Sequence, residues 1–204
     1  MKNKILALVL CLTLVFAFAG CGKNDTKDST NEKTEAYGIH HAVITFKGLG
    51  EVELELDGDT APITVKNFVD LAKDGFYDGL TIHRNVPGFV IQGGDPDGNG
   101  TGGSDKPIKG EFAQNGVKND ISHKRGVISM ARLSNDMNSA TSQFFIVLDD
   151  AAIPSLDGGY AAFGRVTKGM DIVDKIAETP VEDSFSGLIA AEKQPVIESI
   201  KIID

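Results

Sequence analysis

Short apolar runs separated by glycine-rich turns recur between residues 37 and 204, and they restrict this chain to a mainly β fold. In one run, Val52, Leu54 and Leu56 alternate with glutamates, which is the period of a strand that buries one face. The strand candidates span residues 41–46, 51–56, 80–84, 89–92, 126–131, 144–148, 161–166 and 196–202. Many short strands of this kind predict a β-barrel or a β-sandwich.

Two segments carry the period of a helix instead. Pro62 suits the first turn of a helix, because the backbone N–H that it lacks has no partner there. An apolar face follows at helical spacing, made of Val65, Phe68, Val69 and Ala72. Gly75 is placed to end this helix. A second helix is predicted to begin near Lys168 or Gly169, with three inward residues: Met170, Val173 and Ile176.

The first 21 residues have the pattern of a bacterial export signal. Lys2 and Lys4 precede an uncharged apolar run, residues 5–18, which is short for a membrane-spanning helix. The sequence FAGC that ends at Cys21 resembles a lipobox, and the resemblance implies cleavage before Cys21 and lipid attachment to its sulfur. We therefore expect residues 1–20 to be a lipoprotein signal peptide. A plain signal peptide and an uncleaved anchor are the alternatives.

The remaining chain divides into a tether and one domain. Residues 21–36, the lipidated cysteine and the polar stretch after it, predict a flexible tether, and residues 37–204 are long enough for one folded domain. Cys11 would leave with the signal peptide and Cys21 would be acylated, which excludes disulfides and cysteine catalysis. A multiply acylated cysteine would hold the protein on the extracytoplasmic face of the bacterial cell membrane. The formal net charge of −9 argues against nucleic acid as a partner.

The glycine-rich loop at residues 93–103 contains two motif-like patterns. Residues 98–103 match G-x-G-x-x-G, but Pro107 and a polar run follow where a dinucleotide site needs a helix. Residues 95–100 resemble the start of an EF-hand loop, but its twelfth position is Lys106 rather than glutamate. The simpler interpretation is a loop whose glycines turn tightly and approach a bound peptide, so neither a cofactor nor a metal is predicted.

The segment from Ile82 to Asp95, IHRNVPGFVIQGGD, places a cation, an amide and an aromatic ring in an otherwise apolar run. An arginine is rarely buried without a partner or a task. Together with GFYDG at residues 75–79 and SQFF at residues 142–145, this segment resembles the signatures of the cyclophilins, the peptidyl-prolyl cis/trans isomerases. The resemblance spans about residues 41–203. It implies a closed eight-stranded antiparallel β-barrel capped by two α-helices.

The resemblance also implies a set of site residues. The catalytic set is Arg84, Gln92, Phe89 and His83, with His83 packed beside Arg84 and taking no part in proton transfer. The proline pocket and the peptide groove consist of Phe145, Val90, Met130, Ala131, Gln143, Leu156 and Tyr160. The alternatives are ordinary core packing for the phenylalanines, a surface ion pair for Arg84 and satisfaction of buried backbone groups for Gln92.

Rotation about an X-Pro bond requires neither a nucleophile nor a metal. Amide resonance gives a barrier of about 18–20 kcal/mol, and only the twisted state gives the proline nitrogen a usable lone pair. A fixed cationic donor at that nitrogen would stabilise the twisted state and not the planar ones. Arg84 is the candidate because a guanidinium keeps its proton and its planar fork holds an orientation. Gln92 is expected to bind the substrate backbone or to fix Arg84.

The chain departs from the family pattern at the pocket. Ser155 stands where eukaryotic members often carry tryptophan, which implies weak cyclosporin binding, and Tyr160 stands at a family histidine. The resemblance predicts a monomeric isomerase that acts on proline-containing polypeptides and speeds the folding of exported or surface proteins. A non-catalytic proline-peptide binding module or a holdase chaperone is the alternative. A serine hydrolase is set aside because the G-x-S-x-G motif is absent.

Overall fold

The computed structural model describes residues 37–184 and 186–204, and every predicted strand is present among them. The strands are β1 (Ile39–Phe46), β2 (Gly50–Asp57), β3 (Thr81–Val86), β4 (Val90–Asp95), β5 (Val127–Met130), β6 (Phe144–Val147), β7 (Ala162–Lys168) and β8 (Ile197–Ile202). The helices are α1 (Pro62–Lys73), α2 (Ile153–Leu156) and α3 (Met170–Ala177). The predicted signal peptide, the tether and Cys21 lie outside the described residues. No helix in the described ranges combines the length and the apolar character needed to cross a membrane.

The strands form one antiparallel sheet that curls into an open half-barrel, so the prediction of a closed barrel is wrong. The order across the sheet is β3-β4-β6-β5-β7-β2-β1-β8. The two edge strands approach each other only at their ends, where Thr81 and Val196 form an isolated bridge. Pro195 precedes this bridge and has no N–H to donate to a continued ladder.

The rest of the outer edge of β3 is occupied by an irregular segment rather than by β8. The Asn85 N–H donates to the Gly187 carbonyl at 2.7 Å, and the Ile189 N–H donates to the His83 carbonyl at 2.9 Å. This segment satisfies the backbone groups that closure would have used.

The described residues contain three helices rather than the two predicted, because α2 is a single turn and too short to show a helical period. Pro62 begins α1 as predicted, and Gly75 follows its end with a positive φ of 70°. The carboxylate of Glu111 accepts the backbone N–H groups of Ile63 and Thr64 at 3.1 and 2.8 Å. A buried negative charge therefore satisfies the positive end of α1.

The two faces of the sheet carry two separate apolar clusters. Both long helices pack on the main core, α1 through Phe68 and Val69 and α3 through Val173 and Ile176. The second cluster lies on the opposite face and consists of Val90, Val127, Phe145, Val147, Ala152, Leu156 and Ala162. Among the described residues, the single turn of α2 is the only α-helix that contributes to this second cluster, through Leu156.

Candidate active site

A row of directly paired residues crosses four neighbouring strands on the face of the second cluster. Arg84 of β3 pairs with Gln92 of β4, Gln92 pairs with Phe145 of β6, and Phe145 pairs with Ser129 of β5. Directly paired residues in a sheet project to the same face. The sheet register therefore brings together a cation, an amide and an aromatic ring from distant parts of the chain.

Arg84 is held in place by two hydrogen bonds. Its Nε donates to the Ser186 carbonyl at 2.8 Å, and its Nη1 donates to the Gln92 Oε1 at 3.1 Å. Its Nη2 makes no hydrogen bond to the described part of the chain. The guanidinium is thus oriented at one end and keeps a free donor at the other.

The Gln92 amide belongs to a chain of hydrogen bonds in which the donors and acceptors can be assigned in only one way. Arginine can only donate, so the Gln92 oxygen faces Arg84 and the Gln92 Nε2 donates to the Gln143 Oε1 at 2.8 Å. The Gln143 Nε2 in turn donates to the Gly102 carbonyl at 2.7 Å. The glycine-rich loop therefore fixes the amides that orient the guanidinium.

These side chains border a cavity of about 390 Å³, a size that can enclose a small ring. Its lining consists of Arg84, Phe89, Val90, Gln92, Ala131, Arg132, Phe145, Ser155, Leu156 and Tyr160. Eight of the eleven residues predicted for the site line it: Arg84, Phe89, Gln92, Phe145, Val90, Ala131, Leu156 and Tyr160. The floor is apolar and one wall is cationic.

Arg84 has no carboxylate partner among the described residues, and burial lowers the pKa of its guanidinium. Tyr160 opposes this shift of the pKa to a smaller extent. The group stays protonated near neutral pH, because the ordinary pKa of arginine lies far above neutrality. A charged donor without a counter-ion beside an apolar floor can respond to electron density that appears in a bound molecule.

Phe145 packs against His123, which was not predicted as a site residue. The buried His123 ring stacks on Phe145, with centroids 6.0 Å apart and planes 19° apart. Its Nδ1 lies 2.9 Å from Asp157 Oδ1, and its Nε2 lies 3.0 Å from Ser129 Oγ. Tyr160 meets Phe145 edge-on, with the ring centroids 5.6 Å apart. The floor of the cavity is therefore held by contacts on two sides.

The structure does not bring His83 and Met130 into the lining of this cavity. Met130 pairs with Phe144 rather than Phe145, and the period of two along the strand turns its side chain into the main core. His83 lies at an irregularity in the β3–β4 register and is fully buried. Neither of its ring nitrogens has a hydrogen-bond partner among the described residues, and burial lowers its pKa.

A second cavity of about 480 Å³ adjoins the first and shares Gln92, Ala131 and Arg132 with it. The loop at residues 100–104 forms its far side, and Gln143, predicted as a groove residue, lies in its lining. Asp95 shapes this loop by accepting the backbone N–H groups of Asp97 and Asn99 at 2.9 and 3.1 Å. The G-x-G-x-x-G pattern thus forms a wall of the groove and does not open a helix.

Arg132 borders both cavities but was not predicted as a site residue. The sequence feature that could have indicated its role is its position directly after the predicted groove residue Ala131. The Ser186 carbonyl could not have been found, because a backbone acceptor 102 residues from Arg84 leaves no trace in the local sequence.

Comparison with known proteins places these features in one family. The family model described as "Cyclophilin type peptidyl-prolyl cis-trans isomerase/CLD" matches residues 41–204. The chain is 40% identical to peptidyl-prolyl cis-trans isomerase A of Dickeya dadantii, over 100% of this chain and 99% of that protein. It is 47% identical to a peptidyl-prolyl cis-trans isomerase of Helicobacter pylori, over 66% of this chain and 79% of that protein.

A solved structure has the same fold. The chain superposes with a TM-score of 0.70 and 30% identity on a cyclophilin-type isomerase of Cryptosporidium parvum, determined in the presence of the dipeptide Ala-Pro. The match covers 80% of this chain and 99% of that chain.

Proposed function

The chain belongs to the cyclophilin-type peptidyl-prolyl cis-trans isomerases, and on that premise we propose that it uses Arg84 to isomerise X-Pro bonds of exported or surface proteins. The proline ring enters the cavity over Phe145, and Arg84 donates to the proline nitrogen as the bond twists. Uncatalysed X-Pro isomerisation takes tens of seconds or more, which is slow enough to limit the folding of a newly exported chain.

The apolar floor holds the substrate on one side of the rotating bond. A proline ring has no N–H and only aliphatic carbons, so it gains contact with Phe145, Leu156 and Val90 without leaving a buried donor unpaired. The peptide on the other side of the bond lies in open groove and is free to turn. Holding one side only is what allows the twisted state to form.

The Arg84 Nη2 supplies stabilisation that the planar states do not receive. In a planar amide the nitrogen lone pair is delocalised into the carbonyl, and in the twisted amide it is localised on nitrogen and can accept a hydrogen bond. An interaction made only in the transition state raises the rate constant and not the affinity. The Ser186 carbonyl and Gln92 fix the guanidinium beforehand, so little reorganisation is needed during the step.

One observation carries this proposal: an oriented guanidinium without a described carboxylate partner borders an apolar cavity. The test compares the full chain with Arg84→Ala in two measurements, NMR exchange for the isomerisation rate of a proline tetrapeptide and calorimetry for its affinity. We expect the rate to fall about 100-fold or more and the affinity to change by less than about threefold.

Arg165→Ala is the matched control, because Arg165 is an exposed arginine that forms an ion pair with Glu55. It should retain the rate of the parent chain. Equal loss of rate and affinity in Arg84→Ala would overturn the proposed role of Arg84. Binding without turnover in the parent chain would instead support the alternative, a binding module or a holdase chaperone.

The proposed location rests on residues 1–21 alone. The order of two lysines, an uncharged apolar run and the FAGC sequence supports export and lipid attachment at Cys21, and thus an anchor on the extracytoplasmic face of the membrane. Mass analysis of the N-terminal peptide from bacterial membranes tests it. An acylated Cys21 as the first residue is expected, and an unmodified Cys21 or an intact N-terminus would contradict the proposal.

Weak cyclosporin binding is proposed from Ser155, which borders the cavity with a small hydroxyl where an indole would supply both area and an N–H donor. The net charge of −9 supports polypeptides rather than nucleic acid as partners. A monomer is proposed as the working form, and sedimentation of the full chain in detergent tests it.

A further inference from the structure

The four arginines of this chain divide into two kinds. Arg125 pairs with Asp174 and Arg165 pairs with Glu55, both on the surface. Arg84 and Arg132 border the cavities, and neither has a carboxylate within ion-pair distance among the described residues. Two cations without a described carboxylate partner therefore line the same cavity in a protein with a net charge of −9.

Arg132 is oriented as firmly as Arg84. Its Nε donates to the Gly159 carbonyl at 2.9 Å, and its Nη1 donates to the Leu133 carbonyl at 2.9 Å. Its guanidinium carbon lies 4.8 Å from the centroid of Tyr160 and 5.2 Å from that of Phe112. The Nη2 has no hydrogen-bond partner in residues 37–184 or 186–204. A held guanidinium with a free donor loses little entropy when it binds an anion.

Within residues 37–184 and 186–204, no aspartate or glutamate belongs to the lining of either cavity. Asp95 lies behind the groove, and its carboxylate accepts N–H groups of the loop, including that of Gly100. Asp136 lies in the segment after Arg132, and its carboxylate accepts the Asn138 N–H at 2.8 Å. The Asp95 and Asp136 carboxylates are thus committed to backbone N–H groups, and neither forms an ion pair with Arg132.

We infer that the groove selects substrates with an acidic side chain one or two residues from the proline, and that Arg132 binds this acidic side chain. Arg132 lies on the boundary between the two cavities, so a peptide whose proline occupies the smaller cavity carries a neighbouring side chain past the Arg132 Nη2. One residue of extended chain spans about 3.3–3.6 Å, which limits this neighbour to one or two positions from the proline. The inference rests on the proposed binding of proline in the smaller cavity.

The test uses the full chain and a series of proline peptides with Glu or its neutral isostere Gln at the first or second position on either side of the proline. Affinity is measured by calorimetry and turnover by NMR exchange. We expect about fivefold tighter binding and about fivefold higher kcat/KM for Glu at one or more of these positions at low ionic strength. The ratio should approach one near 1 M salt, where the Debye length is about 3 Å.

Arg132→Gln should reduce the Glu-to-Gln ratio to one, and the control Arg165→Gln should keep it. A ratio of one in the parent chain at every position, or a ratio that persists in Arg132→Gln, would overturn the inference. Absence of turnover with every peptide, together with a retained affinity ratio, would count against the proposed catalysis and still support the acid preference. Turnover with a ratio of one would count against the acid preference alone.

Discussion

Arg84 and Gln92 face each other directly across β3 and β4, and the guanidinium Nη1 donates to the amide Oε1 at 3.1 Å. This contact keeps the guanidinium oriented without neutralising it. A carboxylate at the same position would accept the same hydrogen bond and would also form an ion pair. Substitutions at residue 92 can therefore test the charge of the Arg84 guanidinium separately from its orientation.

We predict that Gln92→Glu reduces the isomerisation rate about tenfold or more, because the new carboxylate competes with the proline nitrogen for the Arg84 charge. Gln92→Met is the matched variant, since it removes the hydrogen bond without adding charge. Its rate should fall less than that of Gln92→Glu in the same NMR exchange measurement. A smaller loss in Gln92→Glu than in Gln92→Met would contradict the role of an uncompensated cation.

The stability of the folded chain should decrease as the pH falls below about 6.5, the ordinary pKa of histidine. Burial lowers the pKa of both His83 and His123 in the folded state, although Asp95 and Asp157 respectively oppose the shift. The unfolded chain then binds more protons than the folded chain below this pH, so acid favours unfolding. Denaturant unfolding between about pH 8 and pH 5 measures the slope.

The double variant His83→Gln, His123→Gln should flatten this slope, whatever its stability at neutral pH. Asp157 contributes in a lower range of pH: desolvation raises its pKa, but hydrogen bonds from the His123 N–H, the Ser122 hydroxyl and the His123 ring outweigh it and leave the pKa lowered. That contribution is present above the ordinary carboxyl pKa and is lost as the pH falls through the lowered value. An unchanged slope in the double variant would be inconsistent with the two buried histidines as its source.

Glu111→Gln should lower the free energy of unfolding by about 2 kcal/mol, because an amide cannot accept all the donors that the buried carboxylate now binds at the start of α1. Glu198→Gln is the control, since Glu198 is exposed on β8 and should change stability by less than about 0.5 kcal/mol. Thermal and denaturant unfolding of both variants provide the comparison. Equal effects of the two substitutions would show that Glu111 does not hold the helix terminus.

Ser155→Trp should strengthen cyclosporin binding about tenfold, since the indole adds both apolar area and an N–H donor at the rim of the cavity. Ser155→Phe separates the two effects because it adds a ring without a donor. Titration of the three proteins with cyclosporin should rank them Trp, Phe and parent chain. The same affinity in all three would remove Ser155 from the explanation of weak binding.

Local sequence was sufficient to predict the strands and the limits of α1. The short apolar runs predicted each strand to within three residues at either end, and Pro62 and Gly75 marked the limits of α1 correctly. These features depend on neighbours in the chain, so the period of two or 3.6 residues is visible without a fold. The resemblance to a known family then supplied the strand number and the roles expected of Arg84, Gln92 and Phe145.

Long-range packing decided the features that local sequence could not predict. The opening between β3 and β8 depends on a segment near Gly187 that competes for the edge of β3, and the face on which Met130 lies depends on its register with Phe144. The orientation of Arg84 requires the Ser186 carbonyl, and that of Arg132 requires the Gly159 carbonyl, 27 residues away in the chain. The sequence by itself determined which side chains were candidates for the chemistry. Only the tertiary structure decided which of them meet, because hydrogen bonds and burial between remote residues form only once the sheet has curled.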